Sequence, residues 1–497
     1  MQRYIYILVL LNCVLIGQHR GDPMGFQSID NIYSYNLFSP LSGMPNSISS
    51  NDLGEMFVNP ASLASLKNSK LSFSLFSNEK EWWERQEYRP NRQLVTLPFI
   101  LEGLFVPNRD YDGWYDHEAF LQDTMYLVQD PDLGADVYEK NASDWQEKKS
   151  RDGIDRFMIG FPLHYGDKNI VLAFSFINNL LLDNYDRNQT HLNPHPAWDG
   201  YSDMPDRVTG AEDSIRVTWS DYERNRLGAL NSWTFNCSYS LTTNLSIGLT
   251  YNKISGDTDD MVQLETIGHF DILEGYNTYK FRYDSERHNT QGTSKFNISN
   301  ISIGGIINGE KYRAGINVML PHKIKRQWEY NYVKNMVDSS SSSIDKGFDR
   351  MDMPITISYN IYFKPHEKFA LSSNYINLPF NNADFTYAGD DSLYSKWIDK
   401  KLFSFGLSYW LPSNIILTAG LQTMSQSYIP DGQAFNNIGP ISKSIVFGLQ
   451  LPRFPSGGVI SVFYQKNTLK YYDLYFSNTN WTSENFNRLD ITCSISF

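Results

Sequence analysis

Two histidines four positions apart, His191 and His195 in HLNPHPAW, could ligate a metal. Two acidic stretches, DYDGWYDHE at 110–118 and SGDTDD at 255–260, could offer oxygen ligands to Ca²⁺. Neither stretch has the full spacing of a calcium loop, so both are read as solvated acidic loops. Pro194 and Pro196 flank His195 and mark a loose loop, so no metal is assigned. Behind the leader only Cys237 and Cys493 remain, without CxxC or zinc-type spacing, and both are read as small hydrophobes on apolar strand faces. No nucleophile stands in a Ser-His-Asp context, and there is no phosphate loop or dinucleotide fingerprint. The chain is therefore read as a non-enzyme without a cofactor.

With so little chemistry in the side chains, the elements that carry them become informative. The chain ends LDITCSISF, in which Leu489, Ile491, Cys493, Ile495 and Phe497 alternate with polar residues. Period-two alternation is that of a strand with one apolar and one polar face. Ile495 and Phe497 close the chain as a terminal signal for a barrel-assembly machinery. The same pattern recurs near 69–77, 154–164, 169–179, 231–241, 244–254, 294–307, 311–320, 353–364, 367–378, 401–411, 414–424, 442–452, 458–467 and 486–497. Most are about ten residues long, enough for a tilted strand to cross a bilayer. A phase change between Ile298 and Ile301 predicts a bulge. Short turns alternate with long polar segments at 78–153, 180–230, 255–293, 321–352, 379–400, 425–441 and 468–485. This rhythm is that of an all-β, 14-stranded antiparallel transmembrane β-barrel, with short turns on the periplasmic side and long loops outside. A soluble sandwich would alternate as well, but needs no such rhythm.

Composition narrows the partners. A net charge of −12 from 43 basic and 55 acidic residues argues against nucleic acid, which needs a basic face. No apolar run reaches the roughly 18 residues of a spanning helix. The opening MQRYIYILVLLNCVLIGQ reads as a cleaved signal peptide, residues 1–18. A lipid-modified Cys13 is the rival reading, disfavoured because Asn12 stands where a small residue is needed. Residues 19–68 precede the first strand and are expected to enter the lumen of a barrel formed by 69–497. Within them Asn59 before Pro60 is a helix-start pair, since Asn caps and Pro fits the first helical position.

If the apolar strand faces meet lipid, the alternate positions line the lumen. Eight of the strands carry no charge over 169–179, 231–241, 353–363, 369–378, 402–411, 415–424, 445–451 and 459–464, with Lys311 and Arg313 the exception at the turn end of 311–320, and their lumen-facing set includes Val171, Ala173, Ile177, Ile376, Ile416 and Val446. A charged selectivity ring of the kind ion channels use is hard to assemble from such strands. A neutral or greasy passenger fits them, and so does a lumen filled by the protein itself. Pro162 in the second strand cannot donate to a ladder and stands near the edge of the turn at Tyr165. LVTLPFILEGLF at 94–105 is an apolar patch in the first loop, a lid over the mouth or the loop's own core.

MFVNPASLA at 56–64 resembles the Asn-Pro-Ala signature of the FadL-type transporters, the outer-membrane family for long-chain fatty acids and toluene. ISIGGIINGEKYRAGINVMLPHKIKRQW at 301–328 and MPITISYNIYFKPHEKFALSSNYINL at 353–378 are similar to further segments of that family. The resemblance implies a hatch carrying Asn59, Pro60 and Ala61, capture of a hydrophobic compound outside, and release sideways into the outer-membrane lipid through a gap in the wall, for which Pro162 is the candidate unless it is simply the edge of the turn at Tyr165. It implies a monomer in the outer membrane of a Gram-negative-type bacterium. The first loop, with 17 acidic and 9 basic residues, departs from the family, so no pocket residues are carried over. A barrel of this shape serving secretion or surface anchoring, or a general diffusion porin, remain the alternatives.

Overall fold

The computed structural model describes residues 24–35, 48–49, 52–88, 114–116, 136–165, 168–196, 215–273, 278–283, 286–336, 338–389, 397–430, 439–455, 457–474 and 478–497. Fourteen antiparallel strands close on themselves. In chain order they are β1 Lys70–Tyr88, β2 Trp145–Tyr165, β3 Lys168–Leu181, β4 Ile215–Ser240, β5 Leu245–Leu273, β6 Arg287–Asn308, β7 Tyr312–Met319, β8 Thr356–His366, β9 Phe369–Leu378, β10 Lys400–Trp410, β11 Ile416–Ser425, β12 Ile441–Gln450, β13 Gly458–Leu474 and β14 Asn478–Ser496. Each pairs with its neighbours in sequence, and β14 returns to β1 in register from Lys70↔Ser496 to Tyr88↔Asn478. Closure leaves no open edge, which is what lipid demands of a sheet.

Burial follows the alternation. On β5, Leu245, Ile247, Leu249 and Tyr251 point outward and exposed, while Ser246 and Thr250 point inward and buried. The same outward apolar belt runs through Phe73 and Leu75, Trp233 and Phe235, Tyr359 and Ile361, Phe405, Phe447, and Leu489 and Ile491. Cys237 and Cys493 share that outer face.

Three expectations are corrected. The long segments between strands are in good part strand themselves: β5 runs for 29 residues, β4 for 26 and β6 for 22. At about 3.3 Å per residue β5 extends about 95 Å, far beyond an apolar band about 25 Å tall. The wall continues past β7 as His322–Asn335, which pairs with β6, and past β8 as Ser340–Met353. Likewise His191 and His195 fall in a strand, Asn184–Pro196, that pairs with β4. Among the described residues no strand pairs with its other side, and prolines are tolerated at such an edge.

There is also no bulge between Ile298 and Ile301, since the β5–β6 register is unbroken. Ile298 points inward and is fully buried; Ile301 points outward. The apolar face changes sides because the surroundings do. Lipid lies outside the lower part of β6, and a protein core lies inside the upper part. A shift does occur between β1 and β2, where Asp155 has no partner between Ser74↔Arg156 and Leu75↔Ile154.

The two lipid-side cysteines provide a check on orientation. Both a membrane-permeant and a charged maleimide are expected to leave Cys237 and Cys493 unmodified in intact membranes, because a thiol facing hydrocarbon does not ionise, and to label them once the protein is unfolded in denaturant.

Candidate functional site in the barrel lumen

The lumen is occupied by the chain's own N-terminal residues, held at two levels. Near the short-turn end, Pro60–Ser65 forms a 3-10 helix capped by Asn59, whose Oδ1 accepts from the Ala61 N–H at 3.0 Å. The Asn59 amide then donates to the carbonyl oxygen of Ile316 at 3.0 Å and to Oδ1 of Asn360 at 3.3 Å. Pro60 O accepts from Asn236 Nδ2 at 3.1 Å and Ser238 Oγ at 2.5 Å. Ala64 O and Leu66 O both accept from Asn169 Nδ2 at 2.8 Å. The wall side chains thus bind the helix at both ends, and at its C-terminal end they take up carbonyls that a short helix leaves free.

This seat exists because three wall residues lack a side chain. A Cβ at Gly248 would fall 2.3 Å from the Pro60 carbonyl carbon, one at Gly304 2.1 Å from Asn59 Oδ1, and one at Gly315 2.7 Å from Asn59 Nδ2. Gly248 and Gly304 are direct partners across β5 and β6. Three adjacent strands therefore offer a flat patch that fits the Asn59-Pro60-Ala61 turn. Beside it Leu53, Met56, Leu63 and Leu66 pack on Met158, Val171 and Ala173.

Further from the short turns the segment is gripped by charge. Arg226 on β4 is fully buried and pairs with Asp260 on β5, Nε to Oδ1 at 2.7 Å and NH2 to Oδ2 at 2.8 Å. Its other N–H groups donate to Gln27 O at 2.8 Å and Gly25 O at 3.1 Å. Asp260 also accepts from Ser294 Oγ at 2.5 Å and Tyr330 Oη at 2.7 Å, and Arg326 pairs with Asp349 close by. A second grip joins Asp30 to the buried Lys400 of β10 at 2.7 Å. Between them, Phe26, Ile29 and Ile32 are enclosed by Ile177, Leu230, Ile254, Phe296, Ile298 and Met351 among others.

The Tyr33 hydroxyl donates to His322 Nε2 at 2.7 Å, and His322 Nδ1 lies 3.1 Å from Leu320 O. His322 opens the strand above the apolar belt. Burial depresses its pKa, the Leu320 carbonyl acting in the opposite sense, so the ring is neutral at pH 7.

Space remains on both sides of the segment. A cavity of about 160 Å³ lies against the wall from β11 to β14 and round to β1 and β2, lined by apolar Met424, Phe463 and Leu469 and by charged Lys80, Glu484 and Arg488. A second, about 80 Å³, lies among Phe57, Val58, Ile254, Thr356 and Ile376. The eight uncharged strands are thus one side of the picture only. Asp155 is buried against Arg156 at 2.6 Å and Arg488 at 2.9 Å, and Arg488 also holds Asp490 at 2.7 Å.

The residues singled out in the sequence fall as follows. Asn59, Pro60 and Ala61 lie buried in the glycine seat. Val171 and Ala173 pack beneath the 3-10 helix, and Ile177 joins the core around Phe26. Ile376 packs beside Leu402 and Met424. Val446 is buried opposite Gly420, and Ile416 sits half-buried opposite Gln450 at the end of β11. Pro162 pairs with Val171, beyond the last β1–β2 pair, Lys70↔Gly160. Ile495 and Phe497 face outward, and the Phe497 N–H donates to Ser69 O at 3.0 Å. Of SGDTDD, Asp260 points inward while Asp257 and Asp259 point outward, so the three cannot share a cation. Among the described residues no three His, Cys, Asp or Glu side chains gather as a metal site would. Of 110–118 only Trp114–Asp116 is described, and 94–105 and the leader lie outside the described residues, as do the side chains of His191 and His195. Arg226, Asp260, Arg326 and Lys400 were missed, although counting by twos from Thr234 or Thr250 reaches Arg226 and Asp260 in the inward phase.

No family model and no curated protein sequence matches the chain. Solved structures do. A Pseudomonas aeruginosa FadL homologue superposes with a TM-score of 0.56 at 11% identity, covering 93% of this chain and 98% of that one. The P. putida toluene transporter TodX gives 0.53 at 10% identity, covering 93% and 98%. The chain has the FadL-type fold.

Gly304→Val is expected to unseat the Asn59 turn while leaving the barrel closed, read as faster proteolysis within residues 52–66 at unchanged heat-modifiable mobility. Asn59→Ala should weaken the same seat by about 1–2 kcal/mol, from the lost cap and wall contacts. The Tyr33–His322 contact should loosen as pH falls. His322 has a depressed folded pKa, so its contribution is present above the ordinary value of about 6.5 and declines below it, as the unfolded side chain takes up a proton first. Proteolysis near Tyr33 should rise between pH 7 and pH 5 in the native protein and show no such rise in His322→Gln.

Proposed function

We propose that the chain is an outer-membrane channel for hydrophobic small molecules, long-chain fatty acids among them, which pass by diffusion once a hatch formed by residues 19–68 shifts from its place in the lumen. The observation that carries the reading is the apolar core inside the lumen, where Phe26, Ile29 and Ile32 lie against an apolar wall. An interior built for hydrated ions has no use for that wall. Each buried CH₂ is worth roughly 0.8 kcal/mol, so an apolar solute would gain by replacing part of this contact. The transport of toluene by TodX, whose fold is similar, supports the class of passenger.

Release is assigned sideways into the membrane rather than into the watery periplasm. The β1–β2 irregularity at Asp155 and the end of that ladder before Pro162 support an exit there. Val171, Ala173 and Ile177, now under the hatch, and Ile376, Ile416 and Val446 are proposed to line the path once it shifts. Residues 1–18 would be removed on export, and Ile495 with Phe497 would direct barrel assembly. The protein would act as a monomer, a reading that β14–β1 pairing is compatible with because the barrel closes within one chain.

Extraction from the native membrane in mild detergent, followed by mass spectrometry of the bound contents, tests the reading. A stoichiometric apolar molecule is expected. An empty barrel that brings down a protein partner would transfer the reading to secretion. Pro162→Ala should slow uptake of a hydrophobic compound several-fold without changing what is bound; unchanged uptake would remove Pro162 from the exit.

A further inference from the structure

The outer surface above the apolar belt is not uniform. On β5 and β6 the lipid-facing series Leu249, Tyr251 and Ile303, Ile301 continues without a break in phase into Lys253 and into Ser299, Asn297 and Lys295. Lys253 and Lys323 both pair with Ser299, from opposite sides. Lys325 pairs with Asn297 on one side and with Arg350 on the other. Five cations, Lys253, Lys295, Lys323, Lys325 and Arg350, therefore stand on four adjacent strands, facing outward just above the belt. Three carboxylates share the patch: Asp352, held by Arg350 at 3.1 Å and opposite Lys323, Asp384, opposite Asp352 on the next strand, and Asp257, opposite Lys295, so the cations outnumber them by two. Lys253 donates to Ser299 Oγ at 3.2 Å and to Asn297. Lys295, Lys323 and Lys325 are exposed, with no acidic partner within 4.0 Å among the described residues.

Neighbouring outward positions lie about 7 Å apart along a strand and about 5 Å apart across strands. Ammonium groups so close, beside a low-dielectric layer, repel one another more strongly than they would in bulk water. A dianionic headgroup at the same height would remove that repulsion. Lys and Arg both suit phosphate, Arg by its two-pronged geometry and Lys as a point charge. The other side of the barrel is unlike this one: the outward row above the belt on β1 carries Glu79 and Glu81, answered by Lys148 at 2.5 Å from Glu79.

We propose that this patch is a docking site for a phosphorylated outer-leaflet glycolipid. Its phosphates would sit on Lys323, Lys325 and Arg350, flanked by Lys253 and Lys295, and its acyl chains on Leu249, Ile301 and Ile303. Continuity with the lipid-facing belt selects a lipid over a soluble anion, because any ligand of these side chains must rest against that belt. The proposal relies on the outer-membrane placement given above and is independent of what the lumen carries.

The test is native mass spectrometry of the full-length protein in detergent with a bisphosphorylated outer-leaflet glycolipid, its enzymatically dephosphorylated form, and inorganic phosphate as competitor. The native protein and a control, Lys346→Gln, should retain the phosphorylated lipid. The triple variant Lys323→Gln/Lys325→Gln/Arg350→Gln should retain it about tenfold less, as the loss of three phosphate contacts implies. Heat-modifiable mobility reports whether the variant is folded; the single Lys325→Glu, at an exposed position, makes the same test if the triple is not. Equal retention by native and variant proteins, or equal binding of the dephosphorylated lipid, would overturn the proposal. Displacement by inorganic phosphate would overturn it too, by assigning the patch to soluble anions. A lumen found empty in the preceding experiment would leave these outcomes unchanged.

Discussion

In a bilayer no water is at hand for an unpaired backbone group, and the rest of this structure follows from that constraint. The sheet must close, and β1 closes it by pairing along its whole length with β14. Closure fixes two faces for every strand and so divides the side chains of the wall into an outer and an inner set. The outer set is chosen by lipid over the height of the belt. The inner set is chosen by whatever fills the lumen.

What fills it is a segment of the same chain, and the two levels of contact solve different problems. At the glycine patch the wall supplies hydrogen-bond partners to the Asn59 amide and the Pro60 carbonyl at the start of a short helix, and the absent side chains of Gly248, Gly304 and Gly315 make room for it. Higher up, Arg226 is fixed by Asp260 and turns its remaining donors on the backbone of Gly25 and Gln27. A buried ion pair adds little net stability, but losing one partner costs about 3–5 kcal/mol, so such a pair specifies one arrangement strongly. The interior is therefore an ordinary protein core wrapped in a membrane protein, with polar contacts at one end and apolar packing at the other.

Much of this was legible in the sequence for one reason: lipid enforces strict alternation. All fourteen strands showed it over the height of the belt, where outward positions must be apolar. Beyond the belt both faces of the wall can be polar, the signal fades, and β4, β5 and β6 read as loops although they continue as strands. Ile298 and Ile301 looked like a bulge because alternation alone does not say which face is lipid. The Asn59 cap was readable locally, as caps depend on neighbours in sequence. The glycines that receive it come from strands about 190 to 250 residues away, and no local pattern announces such a contact. Arg226 and Asp260 were passed over because charge in a presumed loop is read as solvated; the inward phase could be counted along each strand, but that the two stand opposite one another is given by the register.

The central claim is that hydrophobic passage depends on the N-terminal segment leaving its place in the lumen. Ser28 Oγ and Asn184 Nδ2 lie 3.2 Å apart, one on the segment and one on the wall. In a background with Cys237→Ala and Cys493→Ala, Ser28→Cys/Asn184→Cys would allow the two to be joined and released at will. The measurement is entry of a hydrophobic probe into vesicles carrying this variant, with and without reductant. Entry that stops on oxidation and returns on reduction is the expected result. Equal entry in both states would contradict the account, because the passenger would then have a path that the segment does not control.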